Sequence, residues 1–432
     1  MRWCWPTRAW HPTPRPCKVL PTTSASTSVW PILKPRSWPF KRPWLTYGRS
    51  VARAWWWAVG LACAPLSLWA QAPVTPWVNC TNQVVAKPSQ AFVVAAVGDL
   101  TLSGRAAGNT GVMQAFAPVL RGADLALANL EGAITEREES LKPFIPGRSY
   151  PFRFPAGAAA QLAGLGFDVL SVANNHSNDY GPEGMSDTMV SLAQAGVVAT
   201  GLAGEFALGQ WAGRRVAVLA FSPYGRHNNL TQLTQAAALV RKAKQQADLV
   251  VVTFHGGAEG DAGAVLSGAA EMYVGEDRGN PRAFAHAVVA AGADLVLGHG
   301  PHVLRPLECV QGKLVAYSLG NFVSAGGLSV RNLANVSALL EVALHPQTGD
   351  MQALRLWPAT FNARRLPVPD PSGRAVWLVN WLGSQSGQQA VGWRPLWLPG
   401  FEARAPNFAR WLATTQLARC VQASTPAVEC PR

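Results

Sequence analysis

The sequence lacks the cysteine spacings that bind metal ions through thiolates. Its seven cysteines include no CxxC pair and no Cys/His spacing typical of a zinc site. Three of them precede residue 71, which leaves Cys80, Cys309, Cys420 and Cys430. Four widely spaced cysteines predict two structural disulfides in an exported chain, and their three connectivities stay open.

Acidic residues are missing from the first 70 positions. That segment has ten Lys or Arg residues, so subtracting ten from the formal net charge of +13 leaves about +3 for residues 71–432. No basic run follows residue 70, whereas domains that bind nucleic acid concentrate positive charge on a folded face. We therefore predict no nucleic-acid partner.

The leader has two parts. Residues 1–50 show neither helical nor strand periodicity, and we expect them to be unstructured. Residues 49–70 place the basic "RSVAR" before an apolar core and a small-residue "LWAQA", which is the order of a secretory signal peptide cleaved after Ala70. A retained N-terminal anchor is the alternative, and it would be the chain's only membrane attachment. Either way, we expect an exported protein of the periplasm or cell envelope.

From residue 91 onward, short apolar runs alternate with longer amphipathic segments. Strand patterns occupy 91–98, 123–132, 167–175, 214–223, 247–257, 293–300 and 312–322, and helical patterns occupy 111–122, 156–166, 182–196, 231–246 and 281–292. A hairpin pattern surrounds "QTGD" near residue 348. The alternation predicts an α/β fold with a layered, largely parallel sheet. We expect a linker over 71–90, one domain over 91–362 and a C-terminal extension over 363–432 that packs on it.

Polar side chains stand at nearly every predicted strand end. They are Asp99, Asn129, Glu131, Asn174, Asn175, His176, His255, His299, His302 and Asn321. Ligands of open α/β sheets bind at the carboxyl ends of strands. Carboxylate, amide and imidazole without thiolate suit manganese, iron or zinc and are too rich in imidazole for calcium. The pattern therefore predicts a hydrolytic site with two divalent metal ions.

Each of these residues also has a structural explanation when it is taken alone. Asp99 could cap a turn, and the "NLEG" stretch could be a polar turn. His286 and His345 lie within a helix and a hairpin pattern, so we interpret both as structural. His227 follows a strand, and its place at the site stays open.

Six motifs in this order resemble the CapA family, whose members are capsule or poly-γ-glutamate biosynthesis proteins. They are "GDL" (98–100), "NLEG" (129–132), "ANNHSNDYG" (173–181), "FHGGAE" (254–259), "GHGPHV" (298–303) and "YSLGNF" (317–322). The resemblance covers residues 91–325. It implies the calcineurin-like metallophosphoesterase fold, a two-sheet α-β-β-α sandwich with flanking helices.

The resemblance also implies a role for each strand-end residue. Asp99 and His302 would bind one metal ion, Glu131 would bridge both ions, and Asn175, His255 and His299 would bind the second. His176 would be the catalytic acid that protonates the leaving group. The supporting residues around these ligands would be Asn129, Asn174, Asp179 and Asn321.

The chain departs from the related phosphoesterases at two positions. Thr101 stands where those enzymes have a histidine ligand, and Gly300 replaces a histidine that CapA relatives often have. Two functions therefore stay open. One is an exported hydrolase of a phosphoester, or of an amide-linked polymer such as poly-γ-glutamate, acting on an anionic surface polymer with envelope biosynthesis partners. The other is a polymer-binding scaffold with one metal ion or none.

The substrate-binding residues stay open, and the stretch 275–284 has two interpretations. It contains Arg278 and Arg282, either of which could bind an anionic substrate. A solvated loop is the competing interpretation.

Overall fold

The structure is a computed structural model. It describes residues 74–102, 111, 113–143, 150–325, 327–386, 393–400 and 405–415. The segment for which a signal peptide or anchor is predicted lies outside these ranges, as do Cys420 and Cys430. Within the described ranges, no helix is both long and apolar enough to cross a membrane.

Ten of the described strands form a first sheet. Numbered along the chain, they are β1 (Trp77–Val78), β2 (Val84–Val85), β3 (Phe92–Leu102), β4 (Leu125–Leu130), β7 (Val169–Ser171), β8 (Val198–Thr200), β18 (Asn321–Ala325), β19 (Val336–Leu344), β20 (Met351–Phe361) and β21 (Pro367–Pro369). Their order is β2-β1-β20-β19-β3-β4-β7-β8, with β18 also paired to β3 and β21 to β20. Pairing is parallel from β3 to β8 and between β18 and β3, and antiparallel in the rest.

A second sheet of seven described strands is also parallel at its centre. Its members are β9 (Ala207–Trp211), β10 (Arg214–Ser222), β11 (Asn228–Asn229), β12 (Leu249–His255), β15 (Leu295–His299), β16 (Leu307–Val310) and β17 (Lys313–Ala316). The order is β11-β10-β12-β15-β17-β16, and β9 lies antiparallel to β10. Two short pairs complete the strands: β5 (Ala133–Ile134) with β6 (Arg153–Phe154), and β13 (Met272–Tyr273) with β14 (Glu276–Asp277).

The first five described helices correspond to the helical patterns of the sequence, and the last two lie in the C-terminal extension. The described helices are α1 (Ala117–Arg121), α2 (Ala158–Leu165), α3 (Gly181–Gln194), α4 (Leu233–Lys244), α5 (Pro281–Ala290), α6 (Arg374–Ser386) and α7 (Ala405–Leu412). Helix α5 begins with proline at its first position, and the Asn280 side chain accepts a hydrogen bond from the Ala283 amide at 2.9 Å. Both features satisfy or remove amide groups that lack a partner at a helix start.

Alternate residues of the central strands belong to different hydrophobic clusters. On β3, Val94 and Ala96 lie in a cluster that also contains residues of the second sheet, such as Val218. Ala95 and Val97 lie in another cluster with residues of α1 and α2. A third cluster joins the second sheet to α4 and α5. Strands buried on both faces need apolar residues at every position, so the sequences of the central strands are continuously hydrophobic. The α/β class predicted from the sequence is confirmed.

The stretch 312–322 differs from its prediction as one strand. It forms β17 in the second sheet and then β18 in the first, with a turn between them. The turn includes Gly320 at a φ of 67°, a left-handed conformation that glycine adopts without strain. The chain therefore passes from one sheet to the other directly beside β3, where the Asp99 amide donates to the Gly320 carbonyl at 2.9 Å.

The described residues after 362 pack on the domain. Ala375, Leu378 and Leu382 of α6 are buried in the cluster that contains residues of both sheets. A disulfide joins Cys80 to Cys309, with their Cα atoms 5.7 Å apart. This is one bond of the two predicted; the boundaries proposed at 90 and 362 stay predictions.

Candidate metal centre

The registers of the two sheets place the polar strand ends next to one another. In the first sheet, Asp99 is paired with Asn129 on one side and with Asn321 on the other. In the second sheet, His255 is paired with His299. Parallel strands end at the same edge of a sheet, so side chains that are far apart in sequence meet there.

Two glycines let the backbone approach closely at this edge. A Cβ atom at Gly98 would lie 1.9 Å from the Gly320 carbonyl oxygen, and one at Gly298 would lie 2.2 Å from that of Tyr317. Four residues after Gly298, His302 has a φ of 60°. This left-handed conformation costs a non-glycine residue energy and is found mostly at functional sites.

Asp99 is fully buried and is surrounded by nitrogen atoms. The Asn129 amide donates to its Oδ1 at 2.8 Å, and His299 Nδ1 lies 3.4 Å from the same oxygen. His302 Nδ1 lies 3.1 Å from Oδ2. Burial alone would raise the pKa of this carboxyl, but the contacts with His299 and His302 outweigh it and hold the pKa well below its ordinary value. Asp99 is therefore an anion.

Glu131 lies in the middle of the imidazoles. Its Oε1 is 3.6 Å from His302 Nε2, 3.9 Å from His176 Nε2 and 4.0 Å from His255 Nε2. Neither of its carboxylate oxygens has a hydrogen-bond partner among the described residues. Burial raises the pKa of Glu131 to about 8, with the Asp99 charge adding to the rise and that of His302 opposing it.

His302 lies between Asn321 and a further acidic residue, Glu259. Its Nδ1 lies 3.1 Å from Asn321 Oδ1, and its Nε2 lies 3.7 Å from Glu259 Oε2. Burial would lower the pKa of this imidazole, but the charges of Glu131, Glu259 and Asp99 outweigh burial and raise the pKa to about 10.

The loop after β7 holds His176 against a carboxylate. His176 Nδ1 lies 2.7 Å from Asp179 Oδ2, and the ring stacks on Phe152 with centroids 3.9 Å apart. The Lys142 ammonium lies 3.1 Å from Asp179 Oδ1 and 3.1 Å from His176 Nδ1. Burial lowers the pKa of His176, and the hydrogen bond with Asp179 opposes that change. Its Nε2 is left to face the Glu131 side of the site.

Amide hydrogen bonds connect this loop to the ligands. The Asn174 side chain donates to Asn129 Oδ1 at 3.0 Å and accepts from the His176 amide at 3.0 Å. Ser177 donates to the Asn174 carbonyl and lies 3.1 Å from His227 Nε2. The loop is thereby fixed to β4 on one side and to His227 on the other.

The donor set fits a divalent metal ion. Ligand atoms of Asp99, Glu131 and His255 all lie within 4.8 Å of one another and are buried. Among the described residues, Asn175 Oδ1, His255 Nε2 and His299 Nε2 are buried without a hydrogen-bond partner, as are both Glu131 oxygens. Native structures rarely leave buried polar atoms unpaired, so a concentration of them is typical of a ligand-binding site.

The structure brings together Asp99, Glu131, His255, His299 and His302 of the ligand candidates taken from the sequence, and the other histidines have different partners. His227 is buried between Ser177 and Ser222, whose Oγ lies 2.7 Å from its Nδ1. His286 Nε2 contacts Glu308, and His345 Nδ1 accepts backbone amides in the β19–β20 turn. The Thr101 hydroxyl donates to the Val323 carbonyl at 2.8 Å.

Three neighbours of the centre were missed in the sequence. Glu259 is the last residue of the "FHGGAE" motif, which was a signal that we did not use. Lys142 and Phe152 come from a segment without readable periodicity, and only the fold places them on His176.

The two arginines of 275–284 have different surroundings. Arg278 is 1 % exposed, which rules out a solvated loop at this position. Arg282 Nη2 lies 3.4 Å from Glu308 Oε1, and its guanidinium lies over the Trp393 ring.

Known proteins are similar to the part of the chain that contains this candidate centre. The sequence profile described as "Bacterial capsule synthesis protein PGA_cap" matches residues 93–326. The PGA biosynthesis protein CapA of Bacillus subtilis is 28% identical over 233 residues, which are 50% of this chain and 57% of that protein. The capsule biosynthesis protein CapA of Bacillus anthracis is 34% identical over 180 residues, which are 37% of this chain and 40% of that protein.

A probable polyglutamine synthesis accessory protein of Mycobacterium tuberculosis is 26% identical over 277 residues, covering 56% of this chain and 67% of that protein. This chain thus spans about half the length of the two Bacillus relatives. The profile match covers more than half of the chain and includes every strand end of the metal centre. The chain belongs to the PGA_cap family of bacterial capsule synthesis proteins.

Proposed function

We propose that this protein is an exported, metal-dependent hydrolase that takes part in the synthesis or processing of a capsule or poly-γ-glutamate type of surface polymer. Its fold would be the metallophosphoesterase-like α-β-β-α sandwich, an arrangement that agrees with the three hydrophobic clusters on and between the sheets. The bond that it hydrolyses would be a phosphoester. The alternative substrate would be an amide-linked polymer.

One observation carries the proposal. Buried ligand atoms of Glu131 and His255 have no hydrogen-bond partner among the described residues, and they lie within 4.8 Å of one another and of a ligand atom of Asp99, at strand ends of both sheets. Folding gains nothing from such a concentration of unpaired polar atoms, because each costs about 1–3 kcal/mol. Metal binding offsets this cost.

Different residues of the chain would hold the two metal ions. Asp99 and His302 would hold one ion, Asn175, His255 and His299 would hold another, and Glu131 would contact both. Bound manganese, iron or zinc would polarise the scissile bond and lower the pKa of the attacking water.

His176 would protonate the leaving group. With Nδ1–H donated to Asp179, Nε2 would carry the second proton of an imidazolium, whose charge Asp179 stabilises, and would give that proton to the leaving group, returning His176 to the neutral form. Lys142 compensates the charge of Asp179, and Phe152 excludes water from one face of the ring. A general acid held in this way contributes roughly 10²–10⁴-fold to the rate.

The His176→Ala variant tests this assignment. Hydrolysis of an activated phosphodiester, with manganese saturating, should fall at least tenfold. The metal content should be unchanged, because His176 is not among the ligands. Equal rates in the variant and the wild type would remove His176 as the acid. The His345→Ala variant, altered in the distant β19–β20 turn, is the matched control.

A second function is favoured by the position of Thr101. Its hydroxyl is engaged by the Val323 carbonyl, so it cannot replace the histidine ligand of related phosphoesterases. The chain would then be a polymer-binding scaffold with one metal ion or none. A scaffold binds poly-γ-glutamate equally well after chelation, so loss of binding in chelator argues against it.

A further inference from the structure

A buried arginine lies beside the metal centre with donors that have no partner. Arg278 follows β14, and its carbonyl accepts from the amide of Gly257, two residues after His255. Its Nη1 donates to Glu259 Oε1 at 2.8 Å. Within the described part of the chain, its Nε and Nη2 are buried and have no hydrogen-bond partner.

Those unpaired donors are unusual for a residue so deeply buried. A buried guanidinium normally uses its planar fork for paired hydrogen bonds, and leaving charged donors unpaired costs more than leaving neutral ones. The rings of Tyr224 and Tyr273 lie 5.8 Å and 5.9 Å from its Cζ, which stabilises the charge but satisfies no N–H group. A ligand oxygen would satisfy the remaining donors.

Arg278 is linked to the candidate metal ligands through one shared acidic residue. Glu259 connects Arg278 to the candidate metal ligand His302, since its Oε1 binds Arg278 while its Oε2 lies 3.7 Å from His302 Nε2. An anion between the guanidinium and the ligand cluster would therefore contact both.

We propose that Arg278 anchors an oxyanion of the substrate, a phosphate or carboxylate group that binds Nε and Nη2 beside the metal centre. A planar guanidinium binds both groups with two parallel hydrogen bonds. The inference rests on the proposed function, because it places the substrate at this centre. Tyr273 is 37 % exposed and is the more accessible of the two covering rings, so the group would approach Arg278 from the side of Tyr273.

Glu259 occupies one side of the guanidinium and repels an incoming anion. The proposal therefore gives the two partners opposite effects on anion affinity. Removing Arg278 weakens anion binding, whereas neutralising Glu259 strengthens it. A pair that is merely structural gives the same sign for both, because either change breaks the same 2.8 Å ion pair.

Calorimetric titration of the full chain, saturated with manganese, measures this difference. Inorganic phosphate is the first probe and a γ-linked glutamate trimer the second. The dissociation constant of the responding probe should rise at least tenfold in Arg278→Met and fall at least threefold in Glu259→Gln, since hydrogen bonds to charged groups have roughly this effect. The exposed-residue variant Arg364→Met should match the wild type, and manganese content is measured for every sample.

The two probes separate the sources of the oxyanion, since a response to phosphate alone indicates a phosphoester and a response to the trimer alone indicates the polymer. Unchanged constants in Arg278→Met, a loss in both variants, or no binding of either probe by the wild type would overturn the proposal. Arg278-dependent binding without hydrolysis would leave the anchor standing and refute the hydrolase. Hydrolysis with an unchanged KM in Arg278→Met would refute the anchor and leave the proposed hydrolase standing.

Discussion

Replacing Glu131 with glutamine should separate metal binding from folding stability. Burial raises the pKa of Glu131 from its ordinary value of 4.5 to about 8 in the metal-free fold. A carboxyl whose pKa is raised on folding stabilises fully below the unfolded pKa, and that contribution is lost as the pH rises through the folded pKa. The wild type should therefore lose about 1.4 kcal/mol per pH unit between these values, or about 5 kcal/mol in all, from this one group.

Glutamine cannot ionise, so the Glu131→Gln variant lacks this loss. Urea unfolding of metal-free protein between pH 4.5 and 8.5 gives the free energy of unfolding at each pH. The variant should become increasingly more stable than the wild type as the pH rises. The Glu138→Gln variant, which alters an exposed glutamate in the same loop region, is the control and should follow the wild type.

Manganese should reverse the order of stability. A ligand that binds only the folded state adds about 2.7 kcal/mol at a concentration one hundred times its dissociation constant. The wild type should gain this stabilisation and the variant should gain little, because glutamine cannot supply a bridging carboxylate. A stability difference that does not change with pH, or equal stabilisation of both proteins by manganese, would refute the reasoning.

Two further predictions concern the surroundings of the centre. Burial lowers the pKa of His227 from 6.5 to about 4, so the fold should lose up to about 3 kcal/mol as the pH falls between these values. The His227→Gln variant should lack that loss in urea unfolding, and an unchanged pH dependence would contradict the assignment. Gly98→Ala places a Cβ 1.9 Å from the Gly320 oxygen and should lower stability by about 3 kcal/mol or more. Thermal unfolding measures this, and Gly164→Ala, which adds a Cβ in open space on α2, should be neutral or stabilising.

The sequence predicts the parts of the fold that depend on local pattern. Continuous apolar runs identify β10, β12 and β15, and the helical pattern over 281–292 identifies α5. The polar residues that end β3, β4, β12 and β15 predict which side chains meet, because parallel strands share one edge. Whether those side chains hold metal stays a prediction.

The rest depends on contacts between distant segments. The division of 312–322 between two sheets follows from the close approach of Gly98 to Gly320, which no local pattern contains. Lys142 and Phe152 contact His176 through tertiary packing, which the pattern of their own segment does not contain. The sequence leaves Arg278 open between contact with an anionic substrate and a solvated loop, because its burial depends on tertiary packing.

The most direct test of the metal centre is the metal content of the purified protein, measured by mass spectrometry beside its His255→Ala and His299→Ala variants. The His345→Ala variant controls for the loss of a histidine elsewhere. About two equivalents of manganese, iron or zinc should be bound by the wild type and by the control, and the content should fall in both ligand variants. Absence of metal from the wild type after reconstitution with each ion, or an unchanged content in both ligand variants, would contradict the account.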